Sequence, residues 1–121
     1  MAKMTGIDHV QLAMPVGAED RARAFYSGVL ELPEVPKPAQ LAVRGGVWFQ
    51  CGAVQLHLGG EEGFIAAKKA HPALSVDDMP ALLAQLAARG VAIKPEEEVA
   101  GRQRASIFDS FGNRIELIAQ R

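Results

Sequence analysis

The chain is poor in the residues that announce most specialised chemistries. Of its 121 residues one is cysteine, Cys51, so neither an intramolecular disulfide nor a thiolate zinc cluster can form. No apolar run approaches the ~20 residues that span a bilayer, and the opening stretch MAKMTGIDHV lacks the long apolar core of a secretory signal. A net charge of −1 supplies no global field toward nucleic acid or an anionic membrane. Basic residues are scattered, Lys68-Lys69 being the only adjacent lysines, and no basic run is interleaved with stacking aromatics. These absences set the expectation of a cytoplasmic protein with no nucleic-acid partner and no membrane attachment. What is present is a 49% hydrophobic sequence, long enough for one domain or for two small halves sharing a core.

Its periodicity divides it into two similar halves. IDHVQLAMP (7–15) alternates, with Val10, Leu12 and Met14 on one face and His9, Gln11 and Ala13 on the other, as a half-buried strand does. Residues 18–31 put Ala22, Phe25, Tyr26, Val29 and Leu30 at helical spacing. LPEVPKPAQ (32–40) reads as a proline-rich connector and Arg44-Gly45-Gly46 as a hairpin turn. The strand-like runs VWFQC and AVQLHLG follow. The second half repeats the order: a strand in HPALSVDD, then a helix in MPALLAQLAARG with Pro80 near its start and Gly90 past its end. VAIK reads as a strand, PEEEVAG as a loop, and RQRASIFD and NRIELIAQ as a hairpin across SFG. Pairing His9 with His71 and Gln55 with Glu116 gives offsets of 71 − 9 = 62 and 116 − 55 = 61, so two distant landmarks agree to within one residue on a duplication.

All three histidines, His9, His57 and His71, fall on the polar side of their strand, and Glu116 does the same in RIELI. A single histidine or glutamate there is ordinarily a surface residue. Residues on the face turned away from the covering helices would converge only if the two sheets curve toward each other. Two imidazoles and a carboxylate with open positions are suitable ligands for divalent iron, manganese, nickel, cobalt or zinc. From the pattern alone, solvent exposure and metal ligation are both open readings.

From IDHVQLAMP through AFYSGVLEL and HPALSVDDM to FGNRIELIA, the chain resembles the vicinal oxygen chelate superfamily. That superfamily includes glyoxalase I, fosfomycin-resistance proteins, extradiol dioxygenases and bleomycin-binding proteins. The resemblance covers nearly the whole chain. It implies an α+β fold of two βαβββ modules, about 5–60 and 69–121, forming a curved mixed-sheet cup around a divalent metal ion. Carried onto this chain, the family's ligand positions are His9, His71 and Glu116, and Glu116 could also act as the base. Gln55 stands where glyoxalase I relatives carry a fourth, carboxylate ligand. His57, two residues on, is a candidate for coordination, for orienting a ligand, or for acid–base work.

The function expected from the resemblance is a metal-dependent lyase, isomerase or transferase of glyoxalase type acting on a small oxygenated or anionic molecule. Arg104 and Ser106 share a face and are candidates for contacting an anion, though a solvated hairpin charge is the ordinary reading of Arg104. Trp48 is a candidate for lining the cup or for packing in the strand core. A fosfomycin-type thiol transferase fits less well, because Gln11 stands where those proteins carry a hydroxyl residue. A small dioxygenase and a non-catalytic drug- or metabolite-binding protein are the alternatives. Two-module members usually dimerise, so a homodimer is expected, with the cup formed within one chain or shared between two.

Overall fold

The computed structural model describes residues 1–121, which divide into two units, Met1–Phe64 and Ile65–Arg121. The first is built from β1 (His9–Pro15), α1 (Glu19–Arg23), β2 (Glu34–Val35), α2 (Ala39–Ala42), β3 (Val47–Cys51) and β4 (Val54–Glu61). Its four-stranded sheet has the order β1-β4-β3-β2, with β1 parallel to β4 and the other pairs antiparallel. The second unit contains β5 (Ala73–Val76), α3 (Met79–Ala88), β6 (Lys94–Val99), β7 (Arg102–Phe108) and β8 (Arg114–Ala119). Its sheet runs β5-β8-β7-β6, again with one parallel pair, β5 with β8. The identical order in both sheets is the two-module α+β arrangement expected from the sequence.

Each unit buries the apolar side of its strands. Met14, Val47, Phe49, Leu56 and Leu58 are fully or almost fully buried in the first, with Ala22, Phe25 and Tyr26 from the helix. Tyr26 stacks on Phe49 with ring centroids 5.4 Å apart. In the second unit Ala105, Ile107, Ile115 and Leu117 are buried with Met79 and Leu86. Burying one Leu, Ile or Phe side chain of this kind stabilises by about 1.5–3 kcal/mol. Helix α3 starts where Asp78 Oδ1 accepts from the Ala81 amide at 3.1 Å and stops before Gly90, whose φ is 78°.

Several boundaries depart from the sequence reading. The single helix expected over 18–31 is α-helical only to Arg23 and continues over Ala24–Val29 as a π-helix, the Leu30 amide donating to Phe25 O, five residues back. This wider winding accompanies the burial of two consecutive aromatics, Phe25 and Tyr26. Inside the expected connector, Glu34–Val35 pairs with β3 as an edge strand, its length limited by Pro33 and Pro36. The expected loop PEEEVAG is largely strand: β6 begins at Lys94 and carries Pro95 and three glutamates along the sheet edge, where proline and charge are tolerated. Gly45 and Gly46 join α2 to β3 rather than closing a hairpin.

The strand register also revises the repeat alignment. Gln55 lies beside His9 in the first sheet, whereas Glu116 lies beside Ala73 in the second. The pairing of Gln11 with His57 in the first sheet matches that of Ala73 with Glu116 in the second, so the counterpart of Glu116 is His57 rather than Gln55. His9 and His71, two residues before Gln11 and Ala73, remain equivalent. Pro72 has no amide hydrogen, so the ladder starts after it, with its carbonyl accepting from the Glu116 amide at 2.9 Å.

Gly46 sits at the entry to the strand that carries Trp48. Its φ is 87°, and a Cβ there would lie 2.7 Å from Leu58 O in β4. Gly46→Ala is expected to destabilise the protein by about 1–3 kcal/mol, measured as a lower urea midpoint. A midpoint within error of the wild type would show that the backbone relaxes freely at this join.

Candidate functional site

The charged part of the site belongs to the second unit and follows from one hairpin. Between β7 and β8, Asp109 Oδ1 accepts from the amides of Phe111 (2.9 Å) and Asn113 (2.8 Å), while Asn113 Nδ2 donates to Asp109 Oδ2 at 2.9 Å. This knot sets the register that places Ser106 opposite Glu116 and Arg104 opposite Ile118. Arg104 is thus the diagonal neighbour of Glu116 on one sheet face, within reach of a long side chain. Its guanidinium forks onto the carboxylate, with Nε donating to Oε2 at 2.8 Å and Nη2 to Oε1 at 3.0 Å, while Nη1 donates to the Glu97 carbonyl at 2.9 Å.

Glu116 is 7% exposed. The Arg104 fork holds its carboxyl down to about 2, against an ordinary 4.5; burial pulls the other way and the hydrogen bond with His71 reinforces the lowering. The stabilisation it represents is complete above pH 4.5 and is lost as pH falls toward about 2.

His71 reaches the same carboxylate from the segment before β5. Its Nδ1 lies 2.7 Å from Lys69 O. A carbonyl only accepts, so Nδ1 carries the hydrogen. In the neutral ring Nε2 then presents a lone pair, and it stands 3.2 Å from Glu116 Oε1. In that tautomer two acceptors face each other; with a hydrogen on Nε2 as well, the contact is the hydrogen bond that reinforces the lowering at Glu116.

The first unit has a different character. The Trp48 and His57 rings stack at 4.1 Å and 4°, and His57 stacks in turn on His9 at 4.3 Å and 15°. Register explains this, since His57 lies between Trp48 on β3 and Gln11 on β1, with His9 one step along. His57 is 4% exposed, and burial together with the neighbouring His9 ring holds its imidazole below the usual histidine value of 6.5. Its Nε2–H donates to Gln55 Oε1 at 2.9 Å. His9 is turned the opposite way: Nδ1–H donates to Asp8 Oδ1 at 2.8 Å, leaving Nε2 free as a lone-pair donor.

Of the residues expected from the sequence, the structure joins His71 with Glu116 in one unit and His9 with His57, Gln55 and Trp48 in the other. No group of three or more His, Cys, Asp or Glu side chains is gathered that could hold a metal ion. The donor chemistry nonetheless suits a divalent cation. His9 and His71 both anchor Nδ1 and present Nε2, the device that orients metal-ligating imidazoles, and Glu116 Oε1 keeps a lone pair on the side of His71. Arg104 is not the solvated hairpin charge of its ordinary reading. The hairpin register alone carried the signal: a turn across residues 110–112 makes residues 104 and 116 diagonal neighbours. Nothing in the sequence pointed to the anchoring oxygens of Asp8 and Lys69.

The family model described as Glyoxalase/Bleomycin resistance protein/Dioxygenase superfamily matches residues 6–117. A glyoxalase family protein from Bacillus anthracis is 40% identical, with 100% of this chain and 99% of that chain covered and a TM-score of 0.95. A lactoylglutathione lyase from Agrobacterium tumefaciens is similar at 22% identity and TM-score 0.76, covering 98% of this chain and 96% of that one. A genomically encoded fosfomycin resistance protein from Listeria monocytogenes matches with the same coverage and TM-score at 15% identity. The last two likenesses are of fold alone. Comparison with curated proteins yields no match.

The stack makes a measurable claim about His57. Its folded value lies below 6.5, so its contribution to stability is present above that pH and is lost as pH falls through the folded value. In an NMR titration His57 is expected to have its midpoint below 6.5, and Trp48→Ala, which lets water reach the ring, is expected to raise it. An unmoved midpoint in the variant would mean that Trp48 is not what keeps His57 dry.

Proposed function

Because the chain belongs to the Glyoxalase/Bleomycin resistance protein/Dioxygenase superfamily, we propose that it is a divalent-metal-dependent, glyoxalase-like enzyme. It acts as a lyase, isomerase or transferase on a small oxygenated molecule, with His9, His71 and Glu116 as the ligand set. The observation that carries this reading is the shared orientation of His9 and His71, each with Nδ1 tied to an oxygen and Nε2 presented. His57, whose Nε2 is engaged by Gln55, stands outside the set. When bound, iron, manganese, nickel, cobalt or zinc would supply Lewis-acid stabilisation of negative charge on substrate oxygens.

The chain's own residues would do the rest. Glu116 stays ionised across the neutral range and offers a fixed carboxylate. His57, kept neutral by burial, is able to accept a proton at Nδ1 while Nε2–H holds Gln55. Trp48 supports that ring from one side and His9 from the other, which fixes the plane in which Nδ1 points. Gln55 and Trp48 belong to the substrate-facing side of the first sheet, and Arg104 to that of the second.

The stacked rings of Trp48, His57 and His9 favour a second reading, a non-catalytic protein that binds a small planar molecule against this aromatic surface. Metal content separates the two. Untagged protein purified without chelator is expected to carry near-stoichiometric divalent metal by elemental analysis. Glu116→Gln and His71→Ala are expected to lose most of it, and His57→Ala to keep it. Absence of metal even after addition of manganese, nickel, iron(II) or zinc would give precedence to the binding-protein reading.

We further read the enzyme as a homodimer in which His9 of a second copy completes the set, a reading that rests on the resemblance to two-module members, which usually dimerise. His9→Ala and Glu116→Gln proteins, each metal-poor alone, are then expected to recover up to one intact site per mixed dimer when unfolded and refolded together. A mixture that stays metal-poor would place the complete set within one chain or nowhere.

A further inference from the structure

Arg104 is paired with the carboxylate that the metal-dependent reading assigns to the ligand set. Both oxygens of Glu116 receive hydrogen bonds from one guanidinium, so the carboxylate already has a full counter-charge. A carboxylate this buried requires one, because an ionised group removed from water is stable only when paired. A divalent ion held by His71 and Glu116 would add a second cation to the same carboxylate. The guanidinium and the ion would then repel and compete for that one acceptor group.

The rest of the sheet face adds to the imbalance. Lys94 and Arg114 lie on it with Arg104, against Glu96 and Glu116. Arg114 spends Nε on the buried Ser106 hydroxyl at 3.1 Å and stays 4.0 Å from Glu96 Oε1, an oxygen that is buried without a hydrogen bond. Four cationic side chains, Lys94, Arg102, Arg104 and Arg114, thus share this face with the carboxylates of Glu96 and Glu116. With one carboxylate taken by a divalent ion, the face has cationic groups to spare.

Resting on the metal-dependent reading, we propose that Arg104 is a displaceable counter-cation. It neutralises Glu116 in the metal-free protein, gives way when a divalent ion takes the carboxylate, and then serves as the donor for an anionic group, a carboxylate or a tetrahedral oxyanion, on the substrate. Its fork of parallel N–H donors suits either group. The thermodynamics are reciprocal: a residue that opposes the ion when paired with Glu116 favours it once the anion has drawn it away. The site would thus bind ion and anionic substrate cooperatively.

The test is calorimetric titration of Mn²⁺ into metal-free wild type, Arg104→Gln and Arg104→Lys, followed by sulfate as the anion probe with and without Mn²⁺. Removing the competitor is expected to tighten Mn²⁺ binding by about tenfold in Arg104→Gln, within the usual span of site–site coupling. Arg104→Lys, a point charge without the fork, is expected to fall between. The metal-free Gln variant is expected to melt lower than wild type and to gain more on adding Mn²⁺. Sulfate is expected to bind Mn²⁺-loaded wild type at least about fivefold more tightly than metal-free wild type, and that gain is expected to vanish in Arg104→Gln. Should the Gln variant fail to fold, the Lys variant alone decides. Mn²⁺ affinity equal to or weaker than wild type in the variants would overturn the proposal and leave the metal reading intact, with Arg104 a support for Glu116. A sulfate gain that persists in Arg104→Gln would remove the anion role. Wild type that takes up no Mn²⁺ would defeat the metal-dependent reading, and the proposal with it.

Discussion

The parallel pairing of first and last strand within each unit is the interaction on which the site rests. A parallel pair cannot be closed by a tight turn, so β1 reaches β4, and β5 reaches β8, only after a helix and two further strands have been laid down. The pairing brings together groups that are distant in the chain. His71 and Glu116 are 45 residues apart yet share a hydrogen bond, and the Glu116 amide is tied to the Pro72 carbonyl next door. In the first unit the same device sets His9 level with Gln55. The two antiparallel strands beyond then deliver Arg104 in one unit and Trp48 in the other.

A buried carboxylate imposes the second constraint. Glu116 lies on the polar face of its sheet, yet almost no water reaches it. Its ionised form persists because the Arg104 fork gives each of its oxygens a donor, and the same fork drives its proton affinity far below the normal range. A simple ion pair on a protein surface contributes little; this one is geometrically bidentate, largely screened from solvent, and placed beside an imidazole lone pair. Such a carboxylate cannot be left without a cationic partner.

The two sheets divide the chemistry between them. The second carries charge, with Lys94 and Glu96 on β6, Arg104 on β7, and Arg114 and Glu116 on β8. The first carries aromatic surface, with three rings in a stack and amide side chains beside them. Within that stack the histidines are held in opposite senses: His9 anchored through Nδ1, His57 through Nε2. One sheet face therefore presents an Nε2 lone pair at His9 and an Nδ1 lone pair at His57.

The fold was legible in the sequence because alternation, capping residues and turn glycines are local signals, and they recur in the same order in both halves. The errors fell where local signals conflict with sheet position. Prolines and glutamates marked Glu34–Val35 and Lys94–Val99 as loops, although an edge strand accepts both. The symmetry drawn between His9 and His71 holds in the register, whereas the one drawn between Gln55 and Glu116 failed, because the strand partner that matches Glu116 is His57, two residues on and on the same face. Of the site, the sequence by itself determined the inventory: the imidazoles, the one carboxylate on the polar side of the final strand, and the faces to which they belong. Only the tertiary structure decided the partners, giving Arg104 to Glu116, Lys69 O to His71 and Trp48 to His57. Residue type and period depend on the chain alone, whereas a hydrogen bond between residues 71 and 116 depends on the register of strands that meet only after the whole unit has folded.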